Sequence, residues 1–168
     1  MGNEEVEERV DWLISQLVNL GIWFKVRGSR FNVSLFGGSN MGVQRFEDLE
    51  IWQEARELCK KIRGLTSEGE FARDFKLRDQ IRSSSGSIMD CIAEGFERGG
   101  NREFVQFLSI AKGSCGETRS QSYRAFDYGY IVQSDLADLL ERTLRLGKKI
   151  TSFMTYLKNS NFKGPKFS

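Results

Sequence analysis

The sequence predicts a mainly α protein: an up-down-up-down four-helix bundle, preceded by a small helix plus β-hairpin module. Three observations carry this. Apolar residues recur at helical spacing over four long stretches between Phe46 and Lys158. The 168 residues include one proline, Pro165, so none of those stretches meets the usual helix breaker. Upstream, from Ile22 to Leu35, the apolar period shortens to that of a strand.

Residues 1–36 read as the helix plus hairpin. Val6, Val10, Leu13, Leu17 and Leu20 form an apolar helical stripe over Glu4 to Leu20. Glu4, Glu5, Glu7 and Glu8 fill its first turns, where the helix dipole favours negative charge, and Gly21 ends it. Ile22, Phe24 and Val26 then alternate with Trp23, Lys25 and Arg27; after the Gly28-Ser29 turn, Phe31, Val33 and Leu35 alternate with Asn32 and Ser34. One helix and one hairpin bury too little to stand alone. Val10, Leu13, Leu17, Phe24, Val26, Phe31 and Val33 are therefore expected to form an oligomer interface.

Residues 37–42, Gly-Gly-Ser-Asn-Met-Gly, read as a flexible linker with an internal methionine. The pattern suggests an engineered fusion of an oligomerising module to a bundle that began at Met41; a natural extension with a glycine-rich loop is the alternative.

Residues 43–158 are the bundle and 159–168 a basic tail. The first helix is expected over Phe46–Gly64, with Leu49, Trp52, Ala55, Cys59 and Ile62 inward and Ile51 and Leu58 on the flank. The second runs from about Phe71 to Arg98. Ile81, Ser84, Ile88, Cys91, Ile92, Gly95 and Phe96 form its stripe. Gly99-Gly100 breaks the chain, and Asn101 is the expected N-cap of a third helix reaching about Ile131, with Phe104, Phe107, Leu108, Ala111, Cys115 and Thr118 inward. Large and very small residues mix on both stripes, as close helix packing requires. The fourth helix is expected over Ser134–Lys158, with Leu136, Leu139, Leu140, Thr143, Gly147, Ile150, Met154 and Leu157 inward.

The segment SIMDCIAEGFERGGNREFVQFLSIAKGSCGE resembles the signature of the 23S rRNA intervening-sequence proteins, four-helix bundles related to retroelement accessory variability proteins. The matching residues are Ser87, Ile88, Ile92, Ala93, Glu94, Gly95, Arg98, Phe104, Phe107, Leu108, Ile110, Ala111, Gly113, Ser114 and Glu117. FEDLEIWQEAREL, from Phe46, is similar to the family's opening helix. The resemblance spans roughly Val43 to Leu157; Cys91 stands where the family usually has Asn, and Met1 to Asn40 has no counterpart. It implies a homo-oligomeric ring, with a pentamer expected, and in some relatives an association with RNA and a reverse transcriptase.

Composition narrows the chemistry. The chain has no histidine, the commonest general base and metal ligand, and no zinc-type cysteine spacing. No catalytic residue, cofactor or metal is expected. Glu94, Glu97, Glu103 and Glu117 gather around the hairpin of the second and third helices; without a Glu-x-x-His pair they read as polar ties between those helices, Glu94 and Glu117 above all. Ser83 to Ser87 and Gly113 to Gly116 lie inside helical stripes, so they read as packing residues rather than phosphate loops. Cys59, Cys91 and Cys115 are expected to be buried free thiols in a cytoplasmic protein. No apolar run is long enough to span a bilayer, and no secretory pattern opens the chain, so no membrane is expected among the partners.

No Asp or Glu occurs after Glu141, while basic residues recur. Arg142, Arg145, Lys148 and Lys149 are the candidate nucleic-acid contacts. The net charge is only +2, so binding is expected to be weak unless copies add their patches. The expected function is a non-enzymatic oligomeric bundle associated with nucleic acid or a ribonucleoprotein. The alternative is an engineered self-assembling fusion, a cage building block.

Overall fold

A computed structural model describes residues 43–159. Internal contacts divide the chain after Gly42, and the described residues belong to the second unit. The predicted helix plus hairpin, with its interface candidates Val10, Leu13, Leu17, Phe24, Val26, Phe31 and Val33, lies outside the described residues, as do the linker and residues 160–168 of the basic tail, whose first residue, Asn159, is helical. Among the described residues there is no strand.

A 3-10 turn, Phe46–Asp48, leads into α1, Glu50–Leu65. A short helix follows, α2, Gly69–Arg73. Then come α3, Phe75–Glu97, α4, Asn101–Asp127, and α5, Gln133–Asn159. Each long helix runs antiparallel to the next. Arg82 near the start of α3 reaches Thr66 at the end of α1, and Phe104 at the start of α4 meets Phe153 near the end of α5. The fourth long helix returns to the first, so α1 packs on α3 and α5, and α4 packs on the same two. Four long helices in a bundle are what the apolar periodicity predicts.

The boundaries differ from the sequence reading for local reasons. The predicted second helix is split at Asp74, whose carboxylate accepts the Leu77 N–H at 3.0 Å and so caps a fresh start for α3. Its other oxygen accepts the Tyr130 hydroxyl at 3.3 Å, tying that cap to the α4–α5 turn. Asn101 is the first residue of α4, not its cap; extended Gly100 precedes it, and Gly99 supplies the turn with φ of 69°. The first helix starts at Glu50 because Phe46–Asp48 closes as a 3-10 turn, which lets Trp52 pack edge-on against Phe46 at 5.2 Å.

The core runs the length of the bundle through Ile51, Leu58, Ile62, Ile81, Ile88, Ile92, Leu108, Leu139, Leu146 and Ile150, each at most 6% exposed. Each such side chain contributes about 1.5–3 kcal/mol by leaving water. On α1 the inward line is Ile51, Ala55, Leu58 and Ile62, while Trp52 and Cys59 sit half-buried on the flank, the reverse of the sequence reading. On α5 the inward line includes Leu146, and Leu140, Gly147 and Met154 are flank residues. Of the thiols, which are all free, only Cys115 is buried; Cys59 and Cys91 are half-buried.

Between α3 and α4 the inner seam is polar and small. Ser84 donates to the Gln121 side chain at 2.5 Å and shares a hydrogen bond with Thr118 at 2.9 Å; Ser114 donates to Ser87 at 3.0 Å. Gly95 lets the Phe104 and Phe107 rings against the α3 backbone. These contacts, with Arg124 donating to Gln80 at 2.7 Å, tie the helix pair together. Glu94 does not: its partner is Arg98 on its own helix, at 2.5 Å, and Glu117 has no partner among the described residues.

Candidate nucleic-acid interface

α5 is amphipathic with three distinct sides. Leu136, Leu139, Thr143, Leu146 and Ile150 face the core. Asp135, Asp138, Arg142, Arg145 and Lys149 recur at helical spacing on the side that meets α1, and the third side turns to solvent and α4.

The α1 side is a ladder of ion pairs. Lys149 Nζ bridges Glu50 and Glu54, at 2.7 Å to Glu54 Oε1. Arg145 reaches Glu54 Oε2 at 3.5 Å and Glu141 at 3.3 Å. Arg142 pairs with Asp138 at 2.7 Å, and Lys61 of α1 pairs with Asp135 at 2.7 Å and Asp138 at 3.8 Å. Lys149 is the most enclosed rung, its side chain 15% exposed. Burial alone would lower its pKa, but the hydrogen bonds to Glu50 and Glu54 outweigh this and hold it above the usual lysine value. The α1 and α5 backbones approach each other at fewer places than those of the other neighbouring long-helix pairs, and these ion pairs span that seam.

Of the four cations singled out from the sequence, Arg142, Arg145 and Lys149 are therefore engaged within the chain. Only Lys148 has no carboxylate within ion-pairing distance among the described residues. A groove of ≈ 950 Å³ beside Arg142 and Arg145 is lined also by Glu47, Glu50, Glu54 and Glu57. Those four carboxylates repel a phosphate that the three guanidinium groups on the lining, Arg56, Arg142 and Arg145, would attract. The signal for this is present in the sequence: Glu47, Glu50, Glu54 and Glu57 recur on one face of the first helix, but nothing local says which face of the last helix they meet.

A second groove, of ≈ 510 Å³, lies between α3 and α4, lined by Ser83, Ser87, Glu117, Ser120, Gln121 and Arg124 among others. Outside its lining, a Cβ on Gly86 of α3 or on Gly113 of α4 would meet nothing within 4 Å. Ile110 beside them is 54% exposed. No group of three or more potential metal ligands occurs among the described residues. Burial pushes the Cys115 thiol up to about 12, so it is no nucleophile at neutral pH. No described helix is long and apolar enough to cross a membrane.

A family model described as 23S rRNA-intervening sequence protein matches residues 47–152. The chain belongs to that family. No curated protein matches it. A solved structure of a protein with unknown function from the S23 ribosomal protein family of Bacteroides thetaiotaomicron is similar, with a TM-score of 0.57 at 19% identity. The match covers 62% of this chain and 97% of that one, and at that identity it shows the bundle fold alone. The matched range includes Gly95 and the α3–α4 seam. The first 46 residues fall outside the family match.

Proposed function

We propose that the chain is a non-enzymatic, self-associating helical bundle, a ring-forming accessory protein that works beside nucleic acid. One observation carries the reading. An added Cβ at Gly86 or Gly113, both mid-helix, would meet nothing within 4 Å, and Ile110, one turn from Gly113, is exposed. A glycine inside a helix costs about 1 kcal/mol relative to alanine. Gly95 recovers that cost through close packing, but Gly86 and Gly113 recover nothing within one chain. A helix from a second copy, lying close along the α3–α4 groove, supplies the missing contact. Ile110, Gly113 and Glu117 belong to the segment that resembles the family signature, yet all three are exposed. The expected assembly is a pentamer, on the strength of the family resemblance.

The test is the solution mass, by multi-angle light scattering, of the full chain and of a chain lacking Met1 to Asn40. A closed oligomer from both supports the reading, and a monomer from the shortened chain rejects it. The second reading, an assembling fusion, is favoured by the family match leaving residues 1–46 uncovered. It is distinguished by a full-chain particle of several rings that falls to one ring when residues 1–40 are removed.

A further inference from the structure

The face formed by α4 and α5 carries three cations that make no ion pair among the described residues, Lys112, Arg119 and Lys148. On α4, Ser114, Thr118 and Gln121 mark the side that meets α3. Lys112, Arg119 and Tyr123 fall on the opposite side of the helix, toward α5. On α5 the ion ladder marks the side that meets α1, which leaves Glu141, Leu144, Lys148, Thr151 and Thr155 on the outer side, with the Glu141 carboxylate turned to Arg145 at 3.3 Å. None of Lys112, Arg119 and Lys148 has a carboxylate within ion-pairing distance among the described residues, in contrast to Lys61, Arg142, Arg145 and Lys149. No Asp or Glu lies on this side of α4 between Lys112 and Tyr123. Gly116 and Gly147 keep the surface low there, since a Cβ on either meets nothing within 4 Å. The hydroxyls of Thr151 and Thr155 lie along it, and the Tyr123 ring is 48% exposed.

From this placement we propose that the α4–α5 face binds the backbone of single-stranded RNA, with Lys112, Arg119 and Lys148 on phosphates and Tyr123 stacking on a base. The proposal rests on the reading of a bundle that works beside nucleic acid, and it moves the interface away from Arg142, Arg145 and Lys149. Unpaired cations carry no carboxylate that must first be displaced, so their full charge is available to a polyanion. Low relief lets an extended backbone approach along the face. One exposed ring adds an interaction that tolerates any base, so binding is sequence-tolerant. An acidic protein segment would use the cations but would leave the Tyr123 ring unused.

The experiment is fluorescence anisotropy of the full chain with a labelled oligouridylate across a salt series. The triple variant Lys112→Glu, Arg119→Glu, Lys148→Glu is compared with the double variant Arg142→Glu, Arg145→Glu. The expected result is an affinity about tenfold or more weaker in the triple variant. The slope of log affinity against log salt is expected to be shallower by about 2, at roughly 0.7 for each phosphate the variant no longer neutralises. The double variant is expected to stay within about threefold of the parent, because its cations are already engaged. Tyr123→Ala is expected to bind about fivefold or more weakly with the salt slope unchanged, the signature of stacking rather than charge. Equal weakening in the triple and double variants overturns the site while leaving nucleic-acid binding standing. No binding of RNA by the parent chain rejects both that reading and this one. Competition by polyglutamate as strong as by unlabelled RNA overturns the proposal in favour of an acidic protein. A triple variant of altered particle mass overturns it in favour of an interface between copies.

Discussion

Gly95 and Phe107 lie so close across the α3–α4 seam that a Cβ on residue 95 would sit 2.6 Å from the Phe107 Cβ. The same added carbon would come within 2.8 Å of the Phe104 ring. Neither neighbour yields freely. Phe104 is 7% exposed and packed edge-on against both Phe96 and Phe153, and Phe107 carries the Arg98 guanidinium 4.7 Å from its ring centre. Gly95→Ala is expected to destabilise the fold by about 1–3 kcal/mol, because the strain of overpacking exceeds the helix propensity gained. Gly64→Ala, at a site where the added carbon meets nothing, is expected to be neutral or slightly stabilising. Thermal melting followed by circular dichroism checks both. A melting point for Gly95→Ala equal to the parent's contradicts the close approach.

The ion ladder gives a second prediction. Lys149→Ala removes the cation shared by Glu50 and Glu54 and leaves Glu54, 21% exposed, facing only Arg145. The expected cost is about 1–3 kcal/mol, measured by urea unfolding. Replacing Arg142, whose side chain is 36% exposed, is expected to cost under about 1 kcal/mol.

The same lysine predicts a pH dependence. Its pKa is raised in the folded chain above the value of 10.5 it has when unfolded. The stability it contributes is therefore fully present below pH 10.5 and is lost as pH climbs through the folded value. Between about pH 6 and 9 the difference in unfolding free energy between parent and Lys149→Ala is expected to stay flat, and to shrink at higher pH. A difference that shrinks already near neutrality contradicts the assignment.

Cys115 gives a further one. With its pKa pushed up to about 12 by burial, it holds almost no thiolate at about pH 8. Iodoacetamide at that pH is expected to leave Cys115 unmodified in the native protein and to modify it fully in denaturant, as read by peptide mass spectrometry. Native labelling at Cys115 contradicts the buried position.

Much of this bundle is legible in the sequence because periodicity survives without knowledge of partners. Ile81, Ile88 and Ile92, or Leu108, Ala111 and Cys115, announce an inward face by spacing alone. What stays hidden is which helix each outer face meets. Arg142, Arg145 and Lys149 look like a free cationic stripe because Glu50 and Glu54 lie far away in sequence. Lys112, Arg119 and Tyr123 each look ordinary until α5 lies beside them. Local boundaries are hidden for a similar reason: Asp74 caps α3 while also holding Tyr130, a partner that sequence spacing does not reveal. Trp52 and Cys59 read as central because they are apolar, yet the square arrangement of neighbours puts Ile51 and Leu58 at the centre.

The central claim is that α3 and α4 present their outer glycines to a second copy, and the double variant Gly86→Leu, Gly113→Leu tests it most directly. The Cβ at either position meets nothing within 4 Å, so the bundle itself is expected to keep its helicity and its melting transition. Native mass spectrometry of the variant is expected to show monomers where the parent shows a closed oligomer. An oligomer of unchanged mass and unchanged dissociation with those leucines in place contradicts the claim.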